Sequence, residues 1–204
     1  MISELHLPLI LASSSTSRAS ILRNAGLAFT QVAARIDETA LIESLIAEGA
    51  PPRDIADALA EAKTLKVART APPDAIVLGA DQLLVCEGRI FEKPAGRAEA
   101  EAHLAFLAGK RHDLVGGVVA AKGGEVIWRH VETARLTMRA MDAAAISDYL
   151  DEAGEAVFAS VGCYHLEGLG PHLMSRIDGD FFAILGLPLL AVLDMLRTQG
   201  ALRS

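Results

Sequence analysis

Aromatic side chains are scarce in this chain, at 4% of its 204 residues, and there are only two cysteines. With so few rings, apolar volume has to come from Ala, Leu, Ile and Val, a composition suited to helices packed on a sheet. Cys86 and Cys163 lack metal-ligand spacing. Two buried thiols in a reducing compartment are expected rather than a disulfide. An excess of positive charge is also missing: Lys and Arg total 19 against 26 Asp and Glu, a net charge of −7. Affinity for long nucleic acid grows from many Lys and Arg contacts to phosphates, so that function is disfavoured. A single nucleotide stays open if a few cations converge in one pocket. The longest apolar runs are broken by Pro or charge well short of a membrane span. Residues 1–11 have no basic stretch and carry Glu4 and His6, so no signal peptide is expected. The expectation is a cytoplasmic protein with no membrane partner. No repeat, linker or low-complexity stretch interrupts it.

What is present is a large apolar fraction, 51%, enough for a sizeable core. Residues 7–12 form an apolar run that reads as a buried strand, followed by the hydroxyl-rich Ser13-Ser14-Ser15-Thr16-Ser17. A helix over 18–25 is predicted to stop at Gly26. A second strand is expected over 29–33. Asp54 is predicted to cap a helix through Arg69, closed by Pro72-Pro73. Residues 75–80 read as a buried strand ending at Asp81, and 83–91 as a hairpin around Glu87-Gly88. A helix follows over 99–107. The Gly123-Gly124 turn joins a long antiparallel pair over 114–121 and 125–139. Asp142 caps a helix to Ala153, residues 154–170 are Gly-rich and irregular, and 188–199 form a last amphipathic helix. Helices alternating with strands predict an α/β protein with a mixed sheet, as one domain over 1–204. Its two lobes are placed at roughly 1–97 plus 176–204, and 98–175.

Several positions could carry chemistry, and each has a bland reading beside it. Ser13-x-Ser15-x-x-Arg18 lies between a strand and a helix start, where backbone N–H groups and the helix dipole favour an anion and Arg18 can fork onto phosphate oxygens. It could equally be an ordinary Ser cap with a solvated Arg. Asp37-Glu38 could hold a metal, or could be a helix cap followed by a first-turn acid, and taken alone the second reading is preferred. Lys63 on an amphipathic helix reads as a solvated side chain. Asp81, at the end of a buried strand, is where open α/β sheets place ligands, so here function is preferred. Lys93 could neutralise a phosphate or belong to a loop surface. His112 reads as a structural histidine. Glu167 lies in a Gly-rich stretch that could line a site or merely turn. Taken together, two carboxylates could hold a divalent cation while Arg18, Lys63 and Lys93 balance a triphosphate.

The set and its order resemble the Maf family of nucleotide pyrophosphatases. The blocks are Leu9-Ile10-Leu11-Ala12-Ser13-Ser14-Ser15-Thr16-Ser17-Arg18, Asp37-Glu38, Leu59-Ala60-x-x-Lys63, Gly79-Ala80-Asp81, Lys93-Pro94, Gly109-Lys110-Arg111-His112, and Gly179-Asp180 through Gly186-Leu187-Pro188-Leu189. They span almost the whole chain. The resemblance implies an inosine-triphosphatase-like, two-lobed mixed sheet with flanking helices and a cleft between lobes. It implies hydrolysis of a nucleoside triphosphate, normal or modified, to monophosphate and pyrophosphate with Mg²⁺ or Mn²⁺. It makes Asp81 the catalytic acceptor and places Ser13, Arg18, Glu38, Lys63 and Lys93 along the phosphate site. Joined to the reading of the residues, the expectation is that Glu38 and Asp81 are the catalytic and metal-holding acids, with Ser13, Ser15, Arg18, Lys63 and Lys93 on the phosphates. Glu167 is assigned to base recognition or the metal shell. A house-cleaning role on non-standard nucleotides, an association with arrest of cell division, and a homodimer are further expectations. The chain departs from the common pattern at Gln82, where Thr often stands, at Gly116 and Ser160, and at Glu167, where many members have Gln. Glu for Gln exchanges an amide donor for an acceptor-only carboxylate, so a base preference is not transferable. A nucleotide-binding regulator of division with little catalysis is the rival from another class, and a phosphatase releasing inorganic phosphate is a second.

Overall fold

Leu9, Ile10 and Leu11 are apolar on consecutive positions, and in the computed structural model, which describes residues 3–203, all three are buried. A strand sends alternate side chains to opposite faces, so burial of every position requires cover on both. Leu9 and Leu11 enter one apolar cluster with Leu22, Leu78, Val118, Val192 and Leu196, while Ile10 and Ala12 enter another with Val67, Val77 and Ala121. Along the chain the elements are β1 (Leu9–Leu11), α1 (Thr16–Asn24), β2 (Thr30–Gln31), α2 (Glu38–Ala47), α3 (Pro52–Ala68), β3 (Ile76–Cys86) and β4 (Arg89–Phe91). There follow α4 (Arg97–Leu107), β5 (Arg111–Lys122), β6 (Glu125–Met138), α5 (Ala143–Ala153), β7 (Met174–Asp178), α6 (Phe181–Ile184) and α7 (Leu189–Thr198). The predicted α/β class holds: seven strands form a mixed sheet in the order β2-β1-β3-β5-β6-β7, with β4 on β3. β1 runs parallel to β2 and β3, whereas β3–β4 and β6–β7 are antiparallel.

Two compact units share the chain. The first comprises Met1–Gln82, Gly116–Glu132 and Phe181–Ser204, and the second Leu83–Val115 and Thr133–Asp180. In the first unit α3 buries Ile55, Leu59, Lys63 and Val67, four apart along one stripe, together with Ala56, Ala60 and Thr64. The helix comes down close on the sheet because two glycines leave room for it. A Cβ on Gly79 would lie 2.2 Å from Thr64 Oγ1 and 2.9 Å from the Ala60 carbonyl oxygen, and one on Gly117 only 2.4 Å from the Ala56 carbonyl oxygen. The Thr64 hydroxyl fastens the contact, donating to the carbonyls of Ala60 (2.7 Å) and Val119 (3.1 Å). A methyl group at Gly79 or Gly117 would overpack this seam against backbone, which cannot swing aside.

The structure corrects several predicted boundaries. β3 does not end at Asp81 but runs on to Cys86, because Leu83, Leu84 and Cys86 are themselves buried and the Asp81 carboxylate finds a partner in Lys63 on the facing helix α3. Asp54 is not the cap of α3: Pro51 occupies that position with Pro52 first in the helix, leaving Asp54 as a first-turn acid. α2, β7 and α6 have no counterpart among the predicted elements. α2 buries no residue, β7 is mostly exposed and held by its register with Arg135–Met138, and α6 has four residues, so none carries a strong local periodicity.

The second unit packs Phe91, Leu104, Leu107, Leu136, Leu150 and Tyr164. Cys86 and Cys163 are both buried and unbonded to each other. Its most consequential polar group is His112 on β5. The side chain is 1% exposed, Nε2 lies 2.8 Å from the Tyr164 hydroxyl, and Nδ1 has no partner among the described residues. Burial pushes the imidazole down from its ordinary 6.5 to about 4, so the native protein holds it neutral. The unfolded chain takes up a proton there below about pH 6.5 that the folded one refuses until about pH 4. His112 should therefore withdraw on the order of 3 kcal/mol of stability as pH falls through that window. Denaturant melts of wild type and His112→Gln should show stability curves that converge on going from pH 7 to pH 4. Parallel curves would show that His112 does not titrate between the two states.

Candidate active site

The loop after β1 and the start of α1 are shaped by their hydroxyls. Ser15 caps α1, its Oγ accepting from the Arg18 backbone N–H at 3.3 Å. The buried Ser13 hydroxyl oxygen accepts from the Ser15 N–H (3.2 Å) and from the Arg18 guanidinium (3.3 Å). Gln31, which ends β2 in register with Leu11, ties the loop from outside by donating its amide to the carbonyls of Ser13 (2.9 Å) and Ser15 (3.3 Å). Both readings of the Ser-rich segment are thus partly right: Ser15 is a cap, and Arg18 is not a solvated surface group.

Arg18 Nε donates to the Gly186 carbonyl at 2.9 Å. Burial pulls the guanidinium below its ordinary value, while the negative charges of Asp81 and Glu38 push the other way. Those charges identify what Arg18 faces. Asp37 and Glu38 divide the two sequence readings between them. The Asp37 carboxylate caps α2, accepting from the Ala40 N–H at 3.1 Å, and this places Glu38 on the first turn. Glu38 Oε2 then lies 2.9 Å from Lys63 Nζ, and the same ammonium donates to Asp81 Oδ1. Lys63 is buried, contrary to its solvated reading, because the stripe of α3 that faces the sheet carries it there. The structure therefore brings Ser13, Ser15, Arg18, Glu38, Lys63 and Asp81 into one neighbourhood of the first unit. Lys93 and Glu167 belong to the second unit: Lys93 is exposed just after β4, and Glu167 is exposed between the two 3-10 segments Glu155–Ala159 and Gly170–Leu173.

Two residues outside the predicted set fix the surroundings. Gln82, the position following Asp81, donates its amide to the carbonyls of Ala183 (2.8 Å) and Ile184 (3.3 Å), tethering α6. Gln31 holds the Ser loop as described. Gln82 had a signal, its departure from the family pattern; Gln31 had none, since its role follows only from the parallel pairing of β2 with β1.

Chemically, the neighbourhood offers two cations and a row of hydroxyl and amide donors for an anion, and two carboxylates that converge on one point. The two carboxylates offer only oxygen, the ligand type that suits Mg²⁺ or Mn²⁺ rather than a softer metal. Among the described residues no three His, Cys, Asp or Glu side chains cluster as a metal site. A cation held here would draw its remaining ligands from water and phosphate, as Mg²⁺ commonly does. No helix among the described residues is long and apolar enough to cross a membrane.

The class is thus a mixed α/β protein with a cation-and-carboxylate cluster beside a hydroxyl-lined helix start. The chain belongs to the Maf family, whose model, described as Maf-like protein, matches residues 8–199. It is 52% identical over 192 residues to nucleoside triphosphate pyrophosphatase 1 of Jannaschia sp. strain CCS1, covering 94% of this chain and 96% of that one. To the nucleoside triphosphate pyrophosphatase of Paramagnetospirillum magneticum it is 49% identical, covering 95% and 99%. To the 7-methyl-GTP pyrophosphatase of Rhizobium meliloti it is 48% identical, covering 95% and 97%.

The Arg18–Gly186 bond gives a check independent of catalysis. Arg18→Lys, which cannot keep the same planar fork, should loosen the segment 181–188. Its amides should exchange with deuterium roughly tenfold or more faster, the loss expected for a hydrogen bond to a charged donor. Unchanged protection would mean the bond does not anchor that segment.

Proposed function

We propose that this chain is a nucleoside triphosphate pyrophosphatase, hydrolysing its substrate to a monophosphate and pyrophosphate. The observation that carries the reading is the junction of Glu38, Lys63 and Asp81 beside Arg18, in a chain about half identical to pyrophosphatases along almost its full length.

In this reading the Ser13 and Ser15 loop, the N-terminus of α1 and Arg18 receive the phosphates, supplying N–H and hydroxyl donors and positive charge. Lys93 adds a further cation. Asp81 accepts the proton of the attacking water as its oxygen bonds to phosphorus. The bond to the α–β bridging oxygen breaks, and its electron pair leaves with pyrophosphate. Glu38 and Asp81 would hold Mg²⁺ or Mn²⁺, which when bound supplies charge neutralisation on the phosphate oxygens. Lys63, which holds the Asp81 carboxylate in the free protein, turns to the phosphates in the complex, and Gln82 keeps α6 at the end of this group. We further propose a cytoplasmic setting, consistent with the two unpaired thiols, and a homodimer as the assembly to test by its mass in solution.

Glu167 sets the base preference in this reading. A carboxylate only accepts hydrogen bonds, so it suits a base edge that offers donors, such as the N1–H and amino group of guanine. The name of the Rhizobium meliloti relative points the same way. Among GTP, 7-methyl-GTP, dTTP, UTP and CTP assayed with Mn²⁺, pyrophosphate should be released most efficiently from a guanine triphosphate. Glu167→Gln should lower kcat/KM for it roughly 10- to 100-fold while barely moving the pyrimidines, the size of a lost charged hydrogen bond. An equal effect on every base would remove Glu167 from recognition. Asp81→Asn should cut turnover by orders of magnitude while nucleotide binding survives. Near-normal turnover would take Asp81 out of the chemistry. Binding without release from any of the five nucleotides by the wild type would favour a regulator, and inorganic phosphate as product a phosphatase.

A further inference from the structure

The Lys63 ammonium bridges Glu38 and Asp81, the two acids that would hold a divalent cation. Its Nζ is 2.9 Å from Glu38 Oε2 and hydrogen-bonded to Asp81 Oδ1, and its side chain is 9% exposed. The positive charges of Lys63 and Arg18 already cancel those of the two acids they face. A divalent cation added by itself would leave the cluster doubly positive in a poorly solvated place, where like charges repel far more strongly than in water. A triphosphate removes that obstacle, since it brings more negative charge than the metal brings positive and offers Lys63 new oxygens to bind. The arm of the cluster that can yield is also visible. Glu38 is 48% exposed and rides on α2, which buries no residue, whereas Asp81 is fixed in the middle of β3.

We propose that Lys63 is a built-in substitute cation: it holds Glu38 and Asp81 together in the free protein, excludes a divalent metal, and yields its place only when a triphosphate arrives. The metal then enters with the nucleotide and is not a resident of the protein. This rests on reading the cluster as a triphosphate site, and it adds an order of binding to that reading. It also gives Lys63 a positioning role distinct from phosphate contact, because its removal should strengthen one ligand while weakening another.

Mn²⁺ alone is the probe, followed by electron paramagnetic resonance of the free ion, with no turnover involved. Wild-type protein without nucleotide should bind Mn²⁺ only weakly, with a Kd of roughly millimolar order. Adding GTP with a methylene group in place of the α–β bridging oxygen should bring Mn²⁺ into a slowly tumbling protein complex. Lys63→Met, nearly the same length without the charge, should bind Mn²⁺ alone at least roughly tenfold more tightly than wild type, as expected when a competing cation is removed. Lys63→Gln should move in the same direction and serves if the methionine variant does not fold. Stoichiometric Mn²⁺ binding at micromolar concentration by nucleotide-free wild type would overturn the proposal. So would a folded Lys63 variant that binds Mn²⁺ no more tightly. Failure of pyrophosphate release would sink the enzymatic reading while leaving these affinities as measured, so the two failures are distinguishable.

Discussion

Lys63 is a cation carried into the first unit on the sheet-facing stripe of α3, and it is tolerated there because two carboxylates meet it. A buried ammonium without partners would lose several kcal/mol of hydration, and a buried carboxylate the same. Joined to Asp81, and to Glu38 on its more open side, each becomes acceptable. Everything else in the site follows from that pairing. It lets β3 continue through a charged residue without leaving the sheet. It positions α2, whose first turn supplies Glu38 and whose own burial is too slight to position it. It also sets the charge that Arg18 faces.

The pairing depends in turn on how near α3 lies to the strands. Gly79 and Gly117 are bare on the side facing the helix, and Thr64 reaches across to the Val119 carbonyl. One turn of α3 thus presents Thr64 to the sheet and Lys63 to Asp81. The glycine before Asp81 is therefore a distance requirement, not a turn. A motif such as Gly79-Ala80-Asp81 mixes two kinds of constraint, one steric and one chemical, two residues apart on the same strand. The side opposite α3 is an ordinary aliphatic core with α1 and α7, in keeping with the scarcity of rings.

Much of this was legible in the sequence. Unbroken apolar runs announced β1 and the first half of β3. Paired glycines at 123–124 and Glu87-Gly88 marked the hairpin turns, and Asp142 capped α5 as read. The site was legible mainly through the resemblance, because its members come from α1, α2, α3 and β3, and no spacing rule joins them. Lys63 shows the limit best. On a helix wheel a lysine among alanines reads as surface, and only the presence of Asp81 under that stripe reverses the reading. Elements without a periodic buried face escaped: α2 lies on the surface, and β7 is defined by its partner strand rather than by its own residues. Gln31 escaped for the same reason, its function being created by a strand neighbour 20 positions away along the chain in the register with Leu11.

The most direct test of the central pairing is a double-mutant cycle for stability at neutral pH, using Lys63→Met, Asp81→Asn and the two combined, each unfolded in denaturant. If the buried ion pair organises the site, each single change should cost about 3 kcal/mol, because Lys63 would keep only the more exposed Glu38 and Asp81 would lose its ammonium. The double variant should then cost much less than the sum, with a coupling of about 2 kcal/mol or more. Costs that add to within about 0.5 kcal/mol would contradict the account.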